Sequence, residues 1–174
     1  TGYCGQLSIG HAAFMAIGAY TSAILCATYG VSFWLALPCA GITAGLAGLV
    51  FGLPSLKVKG FYLALATLAA QFIIMWVLLH GGDITGGQFG IHVPPPEFGS
   101  LVVHDEKSFF YLNMTFLVLM TFLAKNLIRM KLGRAFIAIR DNDIAAKFMG
   151  INVFYYKLLA FTIGSAFAGV AGAL

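Results

Sequence analysis

Gly133–Asn152, GRAFIAIRDNDIAAKFMGIN, interrupts a chain that otherwise consists of long apolar runs. With its flank from Arg129 it holds five of the ten Lys and Arg residues (Arg129, Lys131, Arg134, Arg140 and Lys147), and two of the six acids, Asp141 and Asp143. The chain as a whole is 60% hydrophobic and 9% charged, with a mean hydropathy of +0.93, where soluble proteins carry about 25% charged residues. Such a composition excludes a water-soluble domain. It predicts an all-α integral membrane protein, a polytopic helix bundle carrying one short polar insert.

Outward from the insert, five stretches are long enough to cross a bilayer core of about 30 Å, which takes roughly 20 apolar residues because a helix satisfies all of its own backbone groups. They lie at Ile9–Tyr29, Ser32–Leu53, Phe61–Leu79, Phe109–Ile128 and Tyr155–Leu174. The expected organisation is a single transmembrane domain over 1–174, with a cytoplasmic loop at 129–153 and an external loop at 81–108. Thr1 at the start and an apolar run still open at Leu174 suggest a fragment cut at both ends, and no cleavable signal sequence is visible.

The excess of Lys and Arg in cytoplasmic loops sets the orientation. With the insert inside, Lys57, Lys59, Lys125, Arg129, Lys131, Arg134, Arg140, Lys147 and Lys157 all fall inside or at inner helix ends, and Lys107 alone falls outside. Asp83, Glu97, Asp105 and Glu106 fall outside. The net charge of +4 is therefore read as membrane orientation, not as a nucleic-acid footprint. In the external loop, Gly81, Gly82, Gly86, Gly87 and Gly90 followed by Pro94-Pro95-Pro96 exclude a spanning helix and favour turns and then polyproline II.

The insert reads as two short helices joined at Asp141-Asn142. Asp141 or Asn142 can cap the second helix, Asp143 suits its first turn, Lys147 its last, and Gly150 is a natural left-handed residue just past its end. Ile144, Ala145, Phe148 and Met149 form one apolar face. A helix of about eight residues is marginal alone in water, so this face needs a partner, a groove among its own helix ends, or the lipid interface.

Inside the spans, Gly41-x-x-x-Gly45, Gly48-x-x-x-Gly52 and Ser165-x-x-x-Gly169 are helix-packing signals. Pro38 and Pro54 suggest a kink and a stop in the second span. Gly60, Ala64, Thr67 and Gln71 fall on one helical face opposed to Phe61, Leu65, Leu68 and Phe72. Thr67 and Gln71 either line a polar path or bond a neighbouring helix, since an unpaired amide in hydrocarbon costs several kcal/mol. His11 is the one ionisable group near the start of a span, a pathway candidate or a hydrogen-bonded structural residue. Cys4, Cys26 and Cys39 have no C-x-x-C spacing and read as packing. His80, His92 and His104 lack metal-ligand spacing. No serine-hydrolase elbow, H-E-x-x-H or Walker glycine loop occurs, so neither catalysis nor a cofactor bound by this chain is expected.

Gly5–Ala23 (GQLSIGHAAFMAIGAYTSA), Gly60–Ala69 (GFYLALATLA), Thr85–Ile91 (TGGQFGI) and the insert, taken in order, resemble the branched-chain amino acid ABC-transporter permease family of LivM type. The resemblance implies an importer subunit in a bacterial or archaeal cytoplasmic membrane. Its partners would be a second permease, two cytoplasmic ATPases that use ATP, and a periplasmic or tethered substrate-binding protein. It makes the insert an ATPase-docking loop, comparable with the E-A-A-x-x-x-G loop of importer permeases. The match is Ala145-Ala146-x-x-x-Gly150, with Ile144 where the acid stands and Asp143 one place earlier. Gly133, Arg134, Arg140, Asp141, Asp143, Ala145, Ala146 and Gly150 would carry coupling, and His11, Thr67 and Gln71 would border the solute path. Close relatives carry urea or short amides. A motor-independent secondary transporter is the alternative from another class.

Overall fold

A computed structural model of the chain describes residues 2–6, 8–55, 61–82, 85–87, 90–91, 97–98, 101–102 and 106–174. Lys57, Lys59, Gly60, Asp83, His92, Pro94-Pro95-Pro96, His104 and Asp105 lie outside them. A 3-10 turn at Gly2–Cys4 leads to α1 (His11–Ala27), α2 (Phe33–Ser55) and α3 (Phe61–Leu79). A small antiparallel ribbon follows, β1 (Glu97–Phe98) with β2 (Leu101–Val102), paired Glu97 to Val102 and Phe98 to Leu101. Then come α4 (Glu106–Arg129), α5 (Lys131–Asp141), α6 (Asp143–Phe148) and α7 (Val153–Ala173).

Five of these helices (α1, α2, α3, α4 and α7) are long and apolar enough to cross a membrane. They match the five predicted spans, with shifts at the ends that have local causes. α1 starts at His11 with Gly10 as its N-cap, just after Ile9, whose backbone N–H is held by the Thr67 hydroxyl at 3.2 Å. α7 starts at Val153 because the Asn152 side chain accepts the N–H of Tyr155 at 3.2 Å and caps it there. Pro54 is next to last in α2, which ends at Ser55.

The bundle core is a seam of small residues. α2 runs antiparallel to α7, with Gly41 and Gly45 against Val170 and Ala166, Gly48 against Ser165 and Gly52 against Leu158 and Phe161. α1 crosses α7 where the Gly18 and Gly169 backbones meet, and Gly172 presses on the Met15 carbonyl. A Cβ at Gly18, Gly48, Gly169 or Gly172 would collide with the facing helix. This is how helices associate where lipid removes the hydrophobic drive: close backbone approach gives van der Waals contact. Phe14 and Phe161 fill the remaining space edge to face, ring centres 5.5 Å apart.

α3 lies on α1 and α2, turning Ala64, Thr67 and Ile74 inward and Tyr62, Leu65, Phe72 and Trp76 outward. The predicted stripe thus faces the bundle at Ala64 and Thr67, with Gln71 half-buried a turn further on. α4 is the most exposed span; Trp34 of α2 stacks on its Phe116 at 6.0 Å.

Candidate functional site

The insert folds as two helices hinged at Asn142. Met130 is extended, and α5 turns back so sharply on α4 that any Cβ at Gly133 would strike the Ile128 carbonyl. α5 buries Gly133, Ala135, Phe136 and Ile139 and leaves Arg134, Ile137 and Arg140 outside. Asn142, in extended conformation, ends α5 and caps α6: its Oδ1 accepts the N–H groups of Ile144 and Ala145, both at 3.0 Å. Of the two candidate caps, Asn142 does the work, and Asp141 stays exposed.

α6 ends in a Schellman motif. The N–H of Ile151 reaches the Ala146 carbonyl at 3.0 Å, the N–H of Gly150 reaches that of Lys147 at 3.1 Å, and Gly150 has φ +83°. Ile151 and Ala146 then join a buried cluster with Cys4, Phe136, Ile139 and Ala160. A helix of six residues is thereby fixed at both ends.

Its faces are divided. Ala146 points into the cluster, and Asp143 reaches back so that its Oδ2 lies 3.6 Å from the Lys157 ammonium of α7. Ile144 (64% exposed), Phe148 (88%) and Met149 (80%) point away, with Ala145 also outside. An apolar face is held out by caps, and Lys131, Arg134, Arg140 and Lys147 of α5 and α6 are exposed as well.

The first residues of the chain pack beneath this elbow. Cys4 is 2% exposed, and burial pushes its thiol above the usual range, with Lys157 pulling it partly back. Gly5, at φ +66°, lies against Arg140. Gln6 is buried and donates from Nε2 to the Lys157 carbonyl at 3.1 Å. At the start of α1, the Ser8 hydroxyl and His11 Nδ1 are 2.9 Å apart, and the His11 ring sits edge-on to Phe14 and Phe161. The Thr67 hydroxyl is fully engaged, accepting from Ile9 N–H and donating to the Ala64 carbonyl at 2.9 Å.

The insert, His11 and Thr67 therefore lie toward one end of the bundle, with Gln71 a turn further along α3. From sequence Cys4 reads as packing, Lys157 as an inner helix end, and Gly5 and Gln6 open the first resembling block; the contacts that join them were not read there, because they pair residues far apart in the chain. Among the described residues, no group of His, Cys, Asp or Glu could hold a metal ion.

The model of the family described as "Branched-chain amino acid transport system / permease component" matches residues 1–174. The chain is 39% identical to the high-affinity branched-chain amino acid transport system permease protein LivM of Escherichia coli, over 99% of this chain and 46% of that protein. The Salmonella typhimurium LivM matches equally. A probable LivM of Methanocaldococcus jannaschii is 29% identical over 80% of this chain and 41% of its own length. The chain thus spans about half the length of these relatives. No solved structure matches it.

Proposed function

Because this chain belongs to the family of branched-chain amino acid transport permease components, we propose that it forms part of the membrane path of an ABC importer for these amino acids. The family is one of transport permeases rather than catalysts. The observation that carries the reading is the α6 face. A soluble or self-contained element would bury Phe148, yet it is 88% exposed on a helix that caps and a Schellman motif hold rigidly outward. A cytoplasmic ATPase is the natural occupant of a short exposed apolar helix on an insert rich in basic residues.

In this account Ile144, Ala145, Phe148 and Met149 enter a groove of the ATPase, and Arg134, Arg140 and Asp141 contact its rim. Gly133, Asp143, Ala146 and Gly150 hold the elbow in shape. His11, Thr67 and Gln71 border the solute path at the inner mouth. Hydrolysis belongs to two ATPase subunits, and this chain binds no nucleotide. A second permease completes the path, and a binding protein delivers the solute on the outer face of the cytoplasmic membrane.

The test is uptake of labelled leucine, isoleucine and valine into vesicles carrying the complete complex. Uptake should require ATP on the α6 side and a competent ATPase. Uptake that continues without the ATPase would mark a secondary transporter, and transport of urea with no response to leucine would mark an amide permease.

A further inference from the structure

α4 is the least buried of the five spans, and its substantial contacts with other described elements are confined to α5. Its two faces differ. Asn113, Phe116 and Met120 turn toward α7, where they line a hollow with Phe167, Val170 and Ala171. The opposite face carries an open groove of about 550 Å³ lined by Tyr111, Met114, Thr115, Val118, Leu119 and Phe122. The Thr115 hydroxyl donates to the Tyr111 carbonyl of its own helix at 2.8 Å, so it needs no partner from outside. In steps of three and four residues the row Tyr111, Thr115, Val118, Phe122 continues to Lys125 and Arg129, which share that face. Both are exposed and, among the described residues, neither forms an ion pair. Lys131 and Arg134, exposed too, follow on α5.

We propose that this face of α4 is a binding site for an anionic phospholipid, its acyl chain in the Tyr111–Phe122 groove and its phosphate against Lys125 and Arg129. The dimensions fit. From Phe122 to Tyr111 the groove runs about 16 Å along the helix axis, close to the hydrocarbon depth of one leaflet, roughly 15 Å. Lys and Arg at the end of a span extend their charged heads to the level of the phosphates while their stems stay on apolar surface. Positive charge anywhere at this end of the bundle would serve membrane orientation; here two cations stand in line with a groove made for hydrocarbon, and two more follow within five residues. Basic clusters directly beyond a membrane helix select anionic head groups in this way. A neighbouring protein helix is the poorer occupant, because the amide of this span, Asn113, lies on the other face. The site is independent of which solute is carried and of what α6 binds.

The experiment offers the complete complex equal amounts of dioleoylphosphatidylglycerol and dioleoylphosphatidylcholine in mixed micelles and counts retained lipids by native mass spectrometry. The tails are identical, so the ratio reads the head group alone. Lys125→Gln and Arg129→Gln should each lower the preference for phosphatidylglycerol by roughly fivefold, and Arg129→Lys should keep most of it. Lys147→Gln, which removes the same charge from α6, should leave the ratio unchanged. No preference in the wild-type complex would overturn the site, as would an equal fall with Lys147→Gln, which would mark diffuse attraction to net charge. A second measurement places benzoylphenylalanine at Val118 and irradiates intact membranes. A crosslink to phospholipid is expected; a crosslink to another polypeptide would show that a protein helix occupies the groove and would overturn the proposal.

Discussion

Gly133 and Gly150 bound the elbow for opposite reasons. Gly133 is helical and buried, and what it supplies is space: a Cβ there meets the Ile128 carbonyl. Gly150 is exposed with nothing within 4 Å, and what it supplies is φ +83°. Gly133→Ala should destabilise the elbow by about 1–3 kcal/mol through overpacking, seen as a lower melting temperature in detergent. Gly150→Val should cost about 1–3 kcal/mol in backbone strain and uncouple uptake from hydrolysis, while Gly150→Asn, which tolerates positive φ, should keep most uptake. Asn142→Ala removes the acceptor for two N–H groups and should cost about 1 kcal/mol. Normal uptake by Gly150→Val would remove α6 from the coupling path. The left-handed role of Gly150 was legible because helix-end chemistry is local. The steric role of Gly133 was not, since it depends on how sharply α5 folds back on α4.

α6 has six residues, too few to be stable alone, so its order comes from Asn142, Gly150 and the contact of Ala146 with the cluster. The outward face is then free to bind. Phe148→Asp should abolish association with the ATPase in a pull-down while leaving the permease level in the membrane unchanged, because the side chain touches little of its own fold. The seam of α2 and α7 behaves oppositely. Gly48→Leu should prevent insertion or folding, read as loss of protein from the membrane, since even a Cβ there collides with Ser165. Both elements were readable from sequence, because small-x-x-x-small spacing and an amphipathic face are properties of a single helix. The anchoring of Gln6 was invisible there. The Gln6 to Lys157 bond joins residues 151 apart in sequence, and no local pattern announces which distant carbonyl a buried amide will find.

At the scale of the molecule, the Gly2–Cys4 turn packs on α5 and both α1 and α7 begin beside it, so these elements share one end of the bundle. The count of spans followed from hydropathy, whereas which spans touch did not. α2 packs chiefly on α7, from opposite ends of the sequence, because their small residues match in an antiparallel register. The central claim is that the exposed apolar face of α6 is where the ATPase sits. It is tested most directly by placing the photo-crosslinker benzoylphenylalanine at Phe148 and irradiating intact membranes that contain the whole complex. The account predicts a crosslink to the ATPase subunit, lost when that subunit is deleted; crosslinks to lipid or to the binding protein, with none to the ATPase, would contradict it.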